Sequence, residues 1–354
     1  MEVWILYGDD VESNADLAHE VRRFKVEAER MGIDLKVYNP ANFDLIVDEN
    51  ARETVYVNGK AVTLPDVVYP YFNHHDHSYF SLAIVRQLER MGCLIYNNAE
   101  TIEMVRDKLH THQVLAEKAL PSPKTMLAKF PIDDYTMSMI EKELGFPVVV
   151  KTLKGALGVG VFLIENPKAF KDQMDLIGQT APDIQLIFQQ FVEASRGRDL
   201  RLFVVDGELV ASMERRAKEG DFKANYSSGG SVHHFDADKE AIDLAVRTAR
   251  ALNIQIGGID LLFLKNGGYT ICEANTFPGF KGLEKASGVN VPEKIFQSME
   301  RRLAKFNKAK TNGVEAPALA AWQPDGIFTK IFDQAKRWVN RSGQNRPQNL
   351  KRAA

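Results

Sequence analysis

The sequence predicts a mixed fold: a parallel α/β layer followed by an antiparallel-rich α+β region. Three observations support this. Short apolar runs alternate with helical stretches up to residue 98. Strand–turn–strand units dominate between residues 148 and 275. The chain has 354 residues, 45% hydrophobic and 26% charged, which is enough for two or three domains with sizeable cores.

In the first region, Val3 to Tyr7 is apolar and Gly8-Asp9-Asp10 breaks it, as expected of a buried strand entering a loop. Residues 16–31 carry helical spacing at Leu17, Val21, Phe24 and Ala28, with Gly32 as the stop, and 33–38 reads as a second strand. Segments 53–57 and 61–64 flank Asn58-Gly59, a hairpin signal. A strand at 67–69, a helix at 81–91 ended by Gly92, and a strand at 93–96 complete the layer. The spacing predicts one helix over 101–118, stopped by Pro121 and Pro123, and another over 132–144, stopped by Gly145-Phe146-Pro147.

A dense β run at 148–151 leads through Gly155, Gly158 and Gly160 into a second at 161–164. Segments 186–192, 201–205, 209–214, 259–264 and 269–273 are β-rich, and 238–252 is helical. Residues 307–319 are polar and small, as in a linker. Ile327, Phe328, Ile331, Phe332, Ala335, Trp338 and Val339 fall on one helical face, suited to packing or self-association, so a homo-oligomer is expected. The basic, polar tail after Asn340 reads as mobile.

The net charge of −2 supplies no general basic field for nucleic acid. The two cysteines, Cys93 and Cys272, form no disulfide framework and suit a reducing compartment. No secretory signal and no apolar stretch of membrane-spanning length is present, so the expected location is cytoplasmic.

Several residue groups are suited to chemistry. Lys151 precedes the glycine-rich loop of Gly155, Gly158 and Gly160, where backbone N–H groups can approach phosphate oxygens. The strand–loop–strand context fits neither the Rossmann nor the Walker loop; a hairpin closing over a nucleotide and an ordinary turn both remain open. Asp260, Glu273 and Asn275 lie in apolar β runs, where an unpaired carboxylate is costly. Glu273 and Asn275 share a strand face, and together with Asp260 they form an all-oxygen set suited to Mg²⁺; a turn and a salt bridge are the plain alternative. Lys108, Lys151, Arg201, Arg215, Arg216, Lys218 and Lys223 could balance a triphosphate, or be solvated charges. Gln189 and Gln190 lie in a strand that either reads an adenine edge or is simply core. His74, His75 and His77 lack further ligands at zinc spacing and read better as solvated or substrate-facing.

Between about residues 65 and 291 these motifs together resemble the ATP-grasp superfamily, and within it the RimK-like α-L-glutamate ligases. The resemblance is carried by Arg106-Asp107-Lys108-Leu109, the Lys151 strand, Glu214-Arg215-Arg216-Ala217-Lys218-Glu219-Gly220-Asp221-Phe222-Lys223-Ala224-Asn225, Gly258-Ile259-Asp260-Leu261-Leu262 and Glu273-Ala274-Asn275 through Pro278-Gly279. It implies an ATP-grasp fold with an N-terminal parallel α/β domain over 1–98, a lid domain over 99–187, a C-terminal domain over 188–306, and a linker, helix and tail over 307–354.

By the same resemblance, Lys108, Lys151 and the loop of Gly155, Gly158 and Gly160 hold ATP phosphates, and Gln190 and Phe191 touch adenine. Asp199, Lys223, Ala224 and Asn225 complete the nucleotide site. Arg201, Arg216 and Asn225 serve the transferring phosphoryl group, and Asp260, Glu273 and Asn275 bind Mg²⁺ or Mn²⁺, in two ions. The implied reaction phosphorylates a carboxylate acceptor with ATP, and the amine of an amino acid, expected to be L-glutamate, displaces phosphate. A ligase for a different amino acid and acceptor, or a non-catalytic nucleotide-binding module, are the alternatives. The sequence departs from the family pattern at Gln190 for glutamate, Leu157 for glutamine, Thr276-Phe277 for Ala-Ser, and across 69–77.

Overall fold

The computed structural model describes residues 1–14, 17–47, 55–72, 78–153, 160–224 and 229–311, with side chains to Lys308. The Gly155 and Gly158 loop, Asn225, the histidines at 74, 75 and 77, and the 327–339 helix lie outside the described residues.

The first layer contains β1 (Glu2–Leu6), α1 (Ala18–Met31), β2 (Asp34–Tyr38), β3 (Phe43–Asp44), β4 (Val55–Val57), β5 (Lys60–Val62), β6 (Val67–Pro70), α2 (Tyr79–Arg90) and β7 (Leu94–Ile95). β2, β1, β6 and β7 form a parallel sheet in that order, as the strand–helix alternation predicts. Val3 to Leu6 are fully buried because helices cover both faces of such a sheet. β3, β4 and β5 form an antiparallel flap whose turn places Asn58 at φ 51° and Gly59 at φ 71°, as that dipeptide favours.

The single helix expected over 101–118 is two: α3 (Ala99–Arg106) and α4 (Lys108–Glu117). Asp107 between them is extended (φ −87°, ψ 104°), and its carboxylate accepts from the His110 amide at 3.0 Å. A good N-cap inside a continuous apolar pattern starts a new helix. It also makes Lys108 the first residue of α4.

The next sheet is built from β8 (Thr125–Ala128), β9 (Val148–Thr152), β10 (Val161–Ile164) and β11 (Leu186–Gln190), in the antiparallel order β10-β9-β11-β8. α5 (Asp134–Glu143) and α6 (Pro167–Thr180) cover one face, around Ile140, Val148, Val150, Phe170 and Phe188. β11 runs across positions 187 and 188 as one strand of this sheet.

The third sheet takes β12 (Arg198–Val205), β13 (Glu208–Arg216), β14 (Ser231–His234), β15 (Ile256–Phe263) and β16 (Tyr269–Asn275), in the antiparallel order β14-β13-β12-β15-β16. α7 (Lys239–Ala251) packs on one face against Leu200, Leu202, Ile259 and Ile271. The other face carries Phe203 and Met213, which share a core with the first layer, α8 (Lys281–Ser287) and α9 (Val291–Thr311). Phe24 of α1 meets Tyr69, Tyr71, Phe280 and Phe296 edge-on, and Asn97 donates to the carbonyls of Ile256 and Thr276 at 2.8 and 3.2 Å. Residues 307–311, expected as the start of a linker, continue α9 to Thr311, and Phe306 is buried near its end. Among the described residues, no helix is long and apolar enough to cross a membrane.

Candidate active site

A cavity of about 770 Å³ opens among the first layer, the β9–β11 sheet and the α7-distal face of the third sheet. Strand alternation decides which side chains line it. On β12 the even residues Leu200 and Leu202 pack on α7, so Asp199 and Arg201 face the cavity. On β15 this places Asp260 and Leu262 at the cavity, and on β13 Met213 and Arg215. Glu273 lies opposite Asp260 in register, and Asn275 opposite Gly258. The register slips after Asp260, and Leu261 pairs with Ile271, so Cys272 is an extra residue in the strand. That bulge brings Cys272, Glu273 and Asn275 to the same cavity.

Four of these residues form a chain of alternating charge. Arg201 grips Asp260 through Nε and Nη2 at 2.8 and 2.7 Å. Arg215 grips Asp199 through the same two atoms at 2.6 and 2.8 Å, and its Nη2 also donates to Asp260 at 2.8 Å. Burial pushes Asp260 upward, but Arg201 and Arg215 outweigh it and hold the carboxyl below its usual value. Burial raises Asp199, with Arg215 opposing. Burial also works against the Arg215 cation, and its two carboxylate partners more than reverse that. The chain is neutral as a whole; Lys108, Lys151 and Glu273 are further charged groups that line the cavity, as are Glu20, Arg22, Arg198, Lys223 and Lys281.

Lys108 comes within 3.9 Å of Glu273. Burial pulls its ammonium below the usual value, Glu273 opposes, and Lys151 adds to the decrease. Lys151 is buried on β9 and donates to Gln189 Oε1 at 2.7 Å. Burial lifts the Cys272 thiol to about 11, so it remains a thiol. At the far wall, Gln190, Phe191, Phe222, Lys223 and Ala224 line the cavity. Lys223 donates to the Val161 carbonyl at 3.1 Å, and Arg196 lies over the Phe191 ring at 4.6 Å.

The structure thus brings Lys108, Lys151, Gln190, Phe191, Asp199, Arg201, Lys223, Ala224, Asp260, Glu273 and Asn275 into one cavity. Gly160 stands at its edge, beside the lining residue Val161, with φ +71°. A Cβ there would meet Thr152 side-chain atoms at 2.7 Å, so the β9–β10 hairpin requires glycine. Arg216 is not brought in. It is half exposed and donates to Glu214 at 2.7 Å, while Arg215 lines the cavity. Neighbours on a strand face opposite sides, so of the pair only one points inward.

Sequence reasoning missed the first-layer contribution. His19, Glu20 and Arg22 also line the cavity, and Glu20 accepts from the amides of Phe280 and Lys281, both at 3.1 Å. No local signal pairs residues about 260 positions apart.

The chain matches the RimK-like ATP-grasp domain over residues 105–299 and the RimK pre-ATP-grasp domain over 1–102. It belongs to the RimK-like ATP-grasp family. A probable alpha-L-glutamate ligase of Thioalkalivibrio sulfidiphilus is 34% identical over 297 residues, 83% of this chain and 95% of that one. One from Legionella pneumophila is 32% identical over 281 residues, 79% and 91% of the two chains. Among solved structures, the ATP-grasp ligase PsnB complexed with minimal precursor superposes with a TM-score of 0.66 at 18% identity, over 84% of this chain and 98% of that one. D-alanine–D-alanine ligase from Bacillus anthracis, complexed with ATP, gives 0.61 at 14% identity, over 88% and 99%. The fold is ATP-grasp with an N-terminal pre-ATP-grasp domain, and this RimK-like chain is an ATP-grasp ligase, of a family that uses ATP and Mg²⁺.

The donor set can be tested against a divalent cation. Glu273 and Asn275 offer hard oxygens on one strand face, and the only cation within 4 Å of Glu273 among the described residues is Lys108. Asp260 accepts one guanidinium hydrogen at Oδ1 and two at Oδ2. A carboxylate has about four lone-pair sites, so Oδ1 retains one. The residues fit Mg²⁺ without the arginines letting go.

Proposed function

We propose that this chain is an α-L-glutamate ligase, joining the amine of L-glutamate to a carboxylate of a protein, peptide or small-molecule acceptor with cleavage of ATP to ADP and phosphate. One observation carries the reading: two lysines, a carboxylate and an amide oxygen converge in a single cavity beside a neutral Asp–Arg chain. A triphosphate needs cations from the protein, and a transferring phosphoryl group needs them fixed in advance. The naming of relatives as probable alpha-L-glutamate ligases supports glutamate as the amine.

In this reading Lys108 and Lys151 neutralise phosphate oxygens. Asp260, Glu273 and Asn275 hold Mg²⁺ or Mn²⁺, two ions in all. When bound, the metal supplies charge neutralisation and a template for the phosphoryl group. Arg201 and Arg215 keep Asp260 ionised and aimed. Gln190 and Phe191 flank the base, with Phe191 pinned by Arg196. Arg201 also reaches the cavity from β12, where a cation stabilises charge on the acyl group under attack by the amine.

The test is ADP release by the purified protein with Mg-ATP across a panel of amines and carboxylate acceptors, with product masses. Release that requires L-glutamate, and a product heavier by one glutamyl unit, is the expected result. Release driven by a different amine refutes the glutamate assignment, and none with any pair refutes the ligase reading.

A further inference from the structure

Beneath the cavity Lys151 belongs to a buried polar cluster whose other members have no role in the mechanism above. Lys151 on β9, Gln189 on β11, Thr125 on β8 and His112 on α4 meet there, with Lys151 7%, Gln189 2% and His112 9% exposed. Strand pairing sets this up: Gln189 pairs with Val149 on one side and Thr125 on the other, so Lys151 is its diagonal neighbour on the same face.

The hydrogen bonds fix one another. Lys151 Nζ has donors only, and it lies 2.7 Å from one end of the Gln189 amide, so that end is the carbonyl oxygen. The other end is the amide nitrogen, a donor with two hydrogens. One goes to Thr125 Oγ1 and one to His112 Nε2, each at 2.9 Å. His112 Nε2 therefore accepts, the ring is neutral, and its proton sits on Nδ1. Burial and the nearby Lys151 charge pull His112 down to about 4, which keeps that state throughout the ordinary pH range. A protonated His112 would set N–H against N–H and release the amide.

We propose that His112 and Thr125 lock the Gln189 carboxamide in one orientation, and that Gln189 thereby positions the Lys151 ammonium for a nucleotide phosphate. The inference rests on the assignment of Lys151 to phosphate binding given above. Gln189 takes one of the three ammonium hydrogens, and the other two remain for the cavity. Without the lock the amide turns, and its nitrogen repels the lysine. His112 does not itself line the main cavity; it touches the lining residue Gln189 and acts through it, as a positioning residue.

The experiment compares binding of Mg-ADP with binding of adenosine by calorimetry, so no acceptor is needed. His112→Phe keeps the ring shape and deletes the acceptor; Mg-ADP binding should weaken about tenfold, as the charged hydrogen bond from the misplaced Lys151 ammonium to phosphate is weakened. Adenosine, which carries no phosphate, should bind as before. His112→Gln, which restores an acceptor at the ε position, should recover Mg-ADP binding. Equal weakening for both ligands, or no weakening for either, overturns the proposal. If His112→Phe fails to fold, Thr125→Val removes the other acceptor and is read in the same way. A wild-type protein that binds adenosine but not Mg-ADP refutes the phosphate assignment itself, and with it this proposal.

Discussion

Arg215 lies between two carboxylates, and its removal has a cost that depends on pH in a predictable way. Arg215→Met deletes three charge-assisted hydrogen bonds, two to Asp199 and one to Asp260. Asp260 keeps the bidentate grip of Arg201, but Asp199 loses both. Breaking a buried pair in this way costs about 3–5 kcal/mol. Protonation sets a ceiling: a stranded buried carboxyl neutralises rather than remain charged. Taking it from its ordinary value of 3.8 to neutral at pH 7 costs about 4 kcal/mol, at about 1.4 kcal/mol per unit. The folded carboxyl is raised while the unfolded one is not, so the folded variant binds one more proton across this window. Its stability therefore rises as pH falls, and the cost shrinks to about 2 kcal/mol at pH 5. In a thermal melt the variant should lose roughly 6 °C against wild type at pH 7 and about half that at pH 5. Arg215→Met combined with Asp199→Leu removes both charges and should recover most of the loss. Equal losses at both pH values, with no recovery in the double variant, would refute the account of Asp199 as the stranded partner.

Three further outcomes follow from the same geometry. Glu273→Ala should abolish turnover while shifting stability by no more than about 0.5 kcal/mol, since its side chain is 37% exposed and weakly paired; turnover that survives at ordinary Mg²⁺ removes Glu273 from the metal set. Arg216→Ala should leave Mg-ADP affinity unchanged by calorimetry, because the side chain is 53% exposed and lies away from the cavity; a clear loss would bring it into the site. Asp107→Ala should destabilise by about 1 kcal/mol through loss of the α4 cap and weaken Mg-ADP binding through Lys108, both read from one ligand-dependent melt.

What the sequence made legible was local. Alternation within each strand and the Asn58-Gly59 turn lie in neighbouring residues, and the hairpin appears where the dipeptide puts it. The lysines at 108 and 151 and the oxygens at 260, 273 and 275 stand in short motifs and share one cavity. The helix break at Asp107 was also local, but an apolar pattern that runs through it hides a cap. α6 escaped for a related reason: its buried positions, Phe170 and Met174, are few.

The illegible part is whatever depends on strand order. Asp199, Arg201, Arg215 and Asp260 sit on β12, β13 and β15, and alternation assigns each a face only up to an overall choice of side. Once β13-β12-β15-β16 are known to be adjacent, the burial of Leu200, Leu202 and Ile259 against α7 fixes that choice for every strand together. Arg215 then points inward and Arg216 outward, with no further information needed. The same step turns Asp260 from a lone candidate ligand into a carboxylate held by two guanidinium groups with one lone pair to spare. Strand order is set by the cores that the sheets share with helices far away in sequence, and the charges follow from it.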